Sequence, residues 1–146
     1  MAVSIFSAAK HLARYADWSL SNLQIQKLIY LSHMFYMGRN NGERLVNGNF
    51  EAWDYGPVNP SLYHRLKIYG ADEVGQDMLI NEEDIKGKQA QILEELYDVL
   101  GNERPSKLIA ITHREGGAWE RAYLSGNNII ISNADIMQEY KEITGK

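Results

Sequence analysis

The chain has no cysteine among its 146 residues. That excludes disulfides, thiol nucleophiles and thiolate metal sites. It has no apolar run approaching the ~20 residues that cross a bilayer. Its first residues, MAVSIFSAAKHLARYADWS, place Lys10, His11 and Arg14 after a few apolar positions, with no long hydrophobic region, so they do not read as a secretory signal. The expectation is a soluble, cytoplasmic protein without a membrane partner. A basic excess is missing too. Fifteen Lys and Arg stand against 19 Asp and Glu, a formal net charge of −4, which argues against a general nucleic-acid binder. The chain also lacks HExxH, a nucleophile elbow, a Walker loop and GxGxxG. No cofactor or metal is expected.

What is present is ordinary globular material, 45% hydrophobic and 23% charged, enough for one domain over 1–146 with a real core. Ile5, Ala8, Ala9, Leu12, Ala13 and Ala16 recur at helical spacing and predict a helix over about 3–16, with Lys10, His11 and Arg14 on a solvated face. Ser21 and Gln24 form a capping box. The helix that follows, about 22–38, is apolar nearly all round, which marks it as the buried centre of the bundle, with Gly38 as its stop. Asn47-Gly48 between short apolar segments predicts a two-stranded hairpin over about 44–54, with strands near 44–46 and 50–54. Helices follow over about 60–69, from an Asn81 cap to about 100, over 107–113, over 118–124 and from Ser132 onward. The 71–80 segment reads as a loop and 129–131 as an extended run. The fold class is mainly α: a compact bundle of six to seven helices with a small hairpin.

The stretch FEAWDYGPVNP, Phe50–Pro60, concentrates the distinctive residues. Gly56-Pro57 halts any regular element. Trp53 and Tyr55 are anchor residues beside that corner, and Asn59 or Ser61 caps the next helix. Glu51 and Asp54 fall on opposite faces of a strand, which makes them poor acid–base partners. His33, inside the central helix, reads as a packed and hydrogen-bonded histidine. His113 reads as a helix-end residue bonding the last carbonyls. The first two helices have the outline of a helix-turn-helix, but the second carries only Lys27 as a basic residue and is core rather than a groove reader. With three Trp and nine Tyr in the chain, aromatic anchors outnumber the equipment for chemistry, and interaction is the favoured class.

Three runs, LQIQKLIYLSHMFYMG (Leu23–Gly38), FEAWDYGPVNPSLYHRLKIYG (Phe50–Gly70) and THREGGAW (Thr112–Trp119), together resemble the Panacea domain of SocA-like antitoxins and GepA-like phage-associated proteins. The most specific part is Leu-x-x-x-Lys-Leu-x-Tyr followed some twenty residues later by Glu-Ala-Trp-x-Tyr-Gly-Pro-Val. The resemblance covers nearly the whole chain. It departs from the family pattern at Gly116-Gly117-Ala118, which stands where a proline is commoner. It implies a non-enzymatic antitoxin of a toxin–antitoxin or prophage operon that neutralises a cognate protein toxin by direct contact or delivers it to a protease. The alternatives are a DNA-binding regulator of such an operon and a small enzyme of unrecognised type. The matched positions Lys27, Tyr30, Glu51, Trp53, Tyr55, Gly56, Pro57, His113 and Trp119, with Asp54, are the candidate partner-binding residues. Among them, Glu51 is expected to pair with Lys27, and Trp53 to lie over the central helix.

Overall fold

The computed structural model describes residues 1–145, and among these it is mainly helical with a small antiparallel sheet. In chain order the elements are α1 Ile5–Tyr15, α2 Asn22–Arg39, β1 Phe50–Trp53, β2 Gly56–Val58, α3 Pro60–Leu66 with a 3-10 turn Lys67–Tyr69, α4 Lys88–Leu100, α5 Pro105–Thr112, α6 Ala118–Ser125, β3 Ile130–Ile131 and α7 Asn133–Thr144.

The capping box forms as the sequence predicts: Gln24 N–H donates to Ser21 Oγ, and Ser21 N–H donates to Gln24 Oε1. Every residue of α2 from Ile25 to Met34 is buried, and α1, α3, α4, α5, α7 and β2 all pack on it. Hydrophobic burial on every side lets this helix hold its place, and the polar groups it carries must find partners inside. Ser32 donates back to Leu28 O, and His33 sits between Asn133 Oδ1 at 3.1 Å and the Val46 N–H at 3.4 Å. His33 is therefore the packed, hydrogen-bonded residue expected; burial lowers its pKa to about 4.

Five local expectations are corrected. The hairpin is not closed by Asn47-Gly48. Leu45 and Val46 are both fully buried, and that segment exchanges backbone hydrogen bonds with Val3 instead. β1 pairs with β2 (Ala52 opposite Pro57, Trp53 opposite Gly56) across the two-residue turn Asp54-Tyr55, and its other edge pairs with β3. Gly-Pro thus lies inside a strand, tolerated because β2 is an edge strand, where proline need not donate to the ladder. Gly38 does not end α2, which continues to Arg39; a Cβ at Gly38 would land on the Tyr140 ring, so the glycine is there for close packing against α7. Asn81 does not cap α4, which starts seven residues later behind Gly87. Tertiary bonds hold the intervening segment: Lys10 Nζ donates to Glu82 O at 2.7 Å and pairs with Asp84, and Arg65 pairs with Glu82. For the same reason Lys10 and His11 are not a solvated face. Lys10 is buried, and His11 meets Glu94 at 2.8 Å.

Candidate functional site

The β1–β2 turn stands over the N-terminal half of α2 and is held from three directions. From below, Lys27 Nζ donates to Pro57 O at 3.0 Å. From one side, Trp119 Nε1 donates to Trp53 O at 2.8 Å, and Tyr123 Oη donates to Asp54 Oδ1 at 2.7 Å. From the other side, the Tyr63 ring packs edge-on against Trp53, centroids 5.0 Å apart. Gly56 is the residue that lets this assembly close. Its φ is +112°, and a Cβ there would stand 2.6 Å from Lys27 Cε and 2.9 Å from Thr112 Oγ1. The corner needs a glycine both for its backbone and for the lysine stem beneath it.

Lys27 is the unusual group. It is 1% exposed, and the Pro57 oxygen is its one hydrogen-bond acceptor among the described residues. No carboxylate pairs with it among those residues. Taking an unpaired ammonium out of water costs several kcal/mol, and burial lowers its pKa from the ordinary lysine value to about 7. Beside it, His113 stacks face to face on Trp119, centroids 3.6 Å apart and planes 9° apart, and Trp119 stacks in turn on Tyr123 at 4.5 Å. Burial, and secondarily the Lys27 charge, lower the His113 pKa. Its Nε2 is buried with no partner, so the side chain does not bond the last carbonyls of α5 as expected; stacking on Trp119 holds it instead.

A cleft of about 720 Å³ opens where the turn overhangs α2. Leu23, Val58, Trp53 and Tyr63 supply apolar and aromatic walls, and Lys27 lies on its lining with the amides of Asn22 and Gln26. Asp54 and Tyr55 form one rim, and Asn127 and Asn128 stand at the mouth. The floor is rigid because Gln26 and Asn59 hold each other: Asn59 N–H donates to Gln26 Oε1 at 2.9 Å, and Gln26 Nε2 donates to Asn59 O at 3.3 Å. Asn59 also caps α3 through Leu62 N–H.

Nine of the ten candidate residues gather at this corner. Glu51 is among them but does not pair with Lys27. Its Oε1 accepts the Trp53 indole N–H at 2.9 Å, because residues two apart share a strand face, while Lys27 reaches β2. Tyr30 lies elsewhere, fully buried and edge-on to Phe50 at 5.2 Å, with no partner for its hydroxyl; burial, then the nearby Glu139 charge, raises its pKa well above the ordinary value. Tyr63, Thr112, Tyr123 and Glu139 escaped sequence reasoning. Thr112 and Tyr63 lie inside the quoted runs and could have been found there. Glu139, buried on α7, accepts the Ala118 N–H at 2.8 Å and so occupies the N-terminus of α6; nothing in its local sequence signals that.

Fold and site together define a mainly helical domain with a hairpin-covered cleft over a buried lysine. The chain belongs to the family described as antitoxin SocA-like, Panacea domain, whose model matches residues 25–120. It is 30% identical over 115 residues to Antitoxin SocA of Caulobacter vibrioides (strain NA1000 / CB15N), a match that covers 71% of this chain. The chain spans about 60% of the length of that curated relative. No solved structure matches it.

Proposed function

We propose that this protein is an antitoxin that neutralises a cognate protein toxin by direct contact, with the hairpin rim over the cleft as the contact face. The observation that carries the reading is Tyr55. It is 69% exposed at the tip of a turn whose neighbours are held by Lys27, Trp119 and Tyr123. A large exposed aromatic on a rigid support is the arrangement from which binding hot spots are made, because little ordering cost remains to be met on association. Family membership supports the antitoxin role, and the relative's name is consistent with it. The buried polar residues of α2 give no groove-reading face, so nucleic acid is not the proposed partner, nor is catalysis the proposed activity.

Co-expression with the product of the adjacent gene tests this. The tagged chain retains that product on affinity resin, and Tyr55→Ala lowers the affinity about tenfold or more while the melting temperature stays within ~2 °C. Equal loss of binding and stability would make Tyr55 a scaffold residue and remove the contact face. Neutralisation by occlusion leaves the toxin's cellular half-life unchanged, whereas delivery to a protease shortens it.

A further inference from the structure

We infer that the cleft is a carboxylate-binding site, filled in the complex by an acidic side chain of the partner segment that docks on the hairpin rim. The inference rests on the contact face proposed above and adds the chemistry that the partner must present.

Charge complementarity decides the occupant. Lys27 and Asp54 are the charged residues lining the cleft, and Asp54 is drawn to the rim by the Tyr123 hydroxyl. Glu51 is committed to the Trp53 indole, and Glu139 to the Ala118 N–H. The chain's own nearby acids are therefore spoken for, and Lys27 is left with one carbonyl for three N–H donors. A carboxylate is the group that completes such a site, since it accepts charge-assisted hydrogen bonds that a second carbonyl matches only weakly. The walls set the rest of the ligand. Trp53 and Tyr63 offer ring surface to an apolar stem, and about 720 Å³ lies in the range of pockets that enclose a small ligand. Entry of an acid also restores the full charge of an ammonium now held near pKa 7, so binding above neutral pH takes up a proton. His113 is the other basic group near Lys27, and Asp54, Tyr55 and Tyr63 carry the remaining ionisable side chains on the cleft lining. Because the chain's net charge is −4, long-range steering does not draw in an acid. Recognition is short-range and only weakly salt-dependent.

Phenylacetate serves as the probe and phenylacetamide as its neutral isostere, both titrated calorimetrically into the full chain. Phenylacetate is expected to bind with a Kd of the order of millimolar and the amide at least about tenfold more weakly. At pH 8, the phenylacetate heat should vary with the ionisation heat of the buffer as proton uptake requires. Lys27→Met, whose circular dichroism and cooperative melting certify the fold, abolishes the discrimination and the proton uptake. Equal binding of acid and amide, or binding of neither at ~20 mM, overturns the site. In the partner arm, one Asp→Asn or Glu→Gln change in the partner weakens the complex about tenfold against the wild type and not against Lys27→Met, the signature of a direct pair in a double-mutant cycle. If Lys27→Met captures the partner with full affinity while Tyr55→Ala does not, the carboxylate inference falls and the rim reading stands. If Tyr55→Ala also binds normally, both fall.

Discussion

At the scale of single residues, Gly56 and Lys27 are two halves of one constraint. Alanine at Gly56 meets a φ of +112° that side chains rarely adopt, and its Cβ presses on Lys27 Cε at 2.6 Å and Thr112 Oγ1 at 2.9 Å. Backbone strain and overpacking each cost about 1–3 kcal/mol. Gly56→Ala is therefore expected to lose roughly 2–5 kcal/mol in urea unfolding, and a loss under ~0.5 kcal/mol would mean that the corner is not packed on the lysine. Lys27 produces the opposite result. With a folded pKa of about 7 and an ordinary value of 10.5, the unfolded chain holds its proton more tightly across that window. The stability contributed by Lys27 is complete above pH 10.5 and is lost as pH falls toward 7. Lys27→Met removes the buried charge, so at pH 7 it is expected to raise stability by the order of 1–3 kcal/mol, with the gain shrinking toward pH 10. Paired urea titrations at the two pH values measure it. A destabilised Lys27→Met at pH 7 would show that the Pro57 bond outweighs desolvation. A variant that gains stability and loses its partner is the pattern of a residue kept for binding.

At the scale of elements, the helices and two of the three strands were legible, and the pairing of the sheet was not. α2 announces itself through a capping box and a run without a polar face, and both signals are local. The sheet depends on competition between distant segments. Asn47-Gly48 carries the stronger hairpin signal, yet Leu45 and Val46 are buried against the N-terminal segment, and the turn falls at Asp54-Tyr55, whose residue types advertise it less. The candidate site was legible as a list, since Trp53, Gly56, Pro57, His113 and Trp119 do converge, but not as a geometry: strand facing turns Glu51 to the Trp53 indole and leaves Lys27 a backbone carbonyl in place of an acid. Gly38 separates local from tertiary rules in a measurable way. Helix propensity alone favours Gly38→Ala by roughly 1 kcal/mol. The added methyl, however, lands on the Tyr140 ring at the α2–α7 contact. The expected outcome is a loss of about 1–3 kcal/mol, read by thermal melting; a stabilised variant would mean that Tyr140 swings away freely.

At the scale of the whole molecule, the part of the chain that carries the family match is not the part that completes the core. The match ends at residue 120, and the candidate residues from Lys27 to Trp119 all lie before that point. Yet β3 supplies Ile131 and forms one edge of the sheet against β1, α7 lays Ile136 and Tyr140 on α2, and Glu139 holds the start of α6, the helix that carries Trp119. Removing β3 and α7 would expose the buried central helix α2 on one side and leave β1 unpaired on the edge opposite β2. A chain ending at Asn128 is therefore expected to lose cooperative unfolding, bind a hydrophobic dye and fail to capture the partner, although each residue proposed to touch that partner is present. Circular dichroism melting and dye fluorescence measure this directly. A shortened chain that still melts cooperatively within ~5 °C of the full one would show that the matched region folds by itself and that the last helix serves some other end.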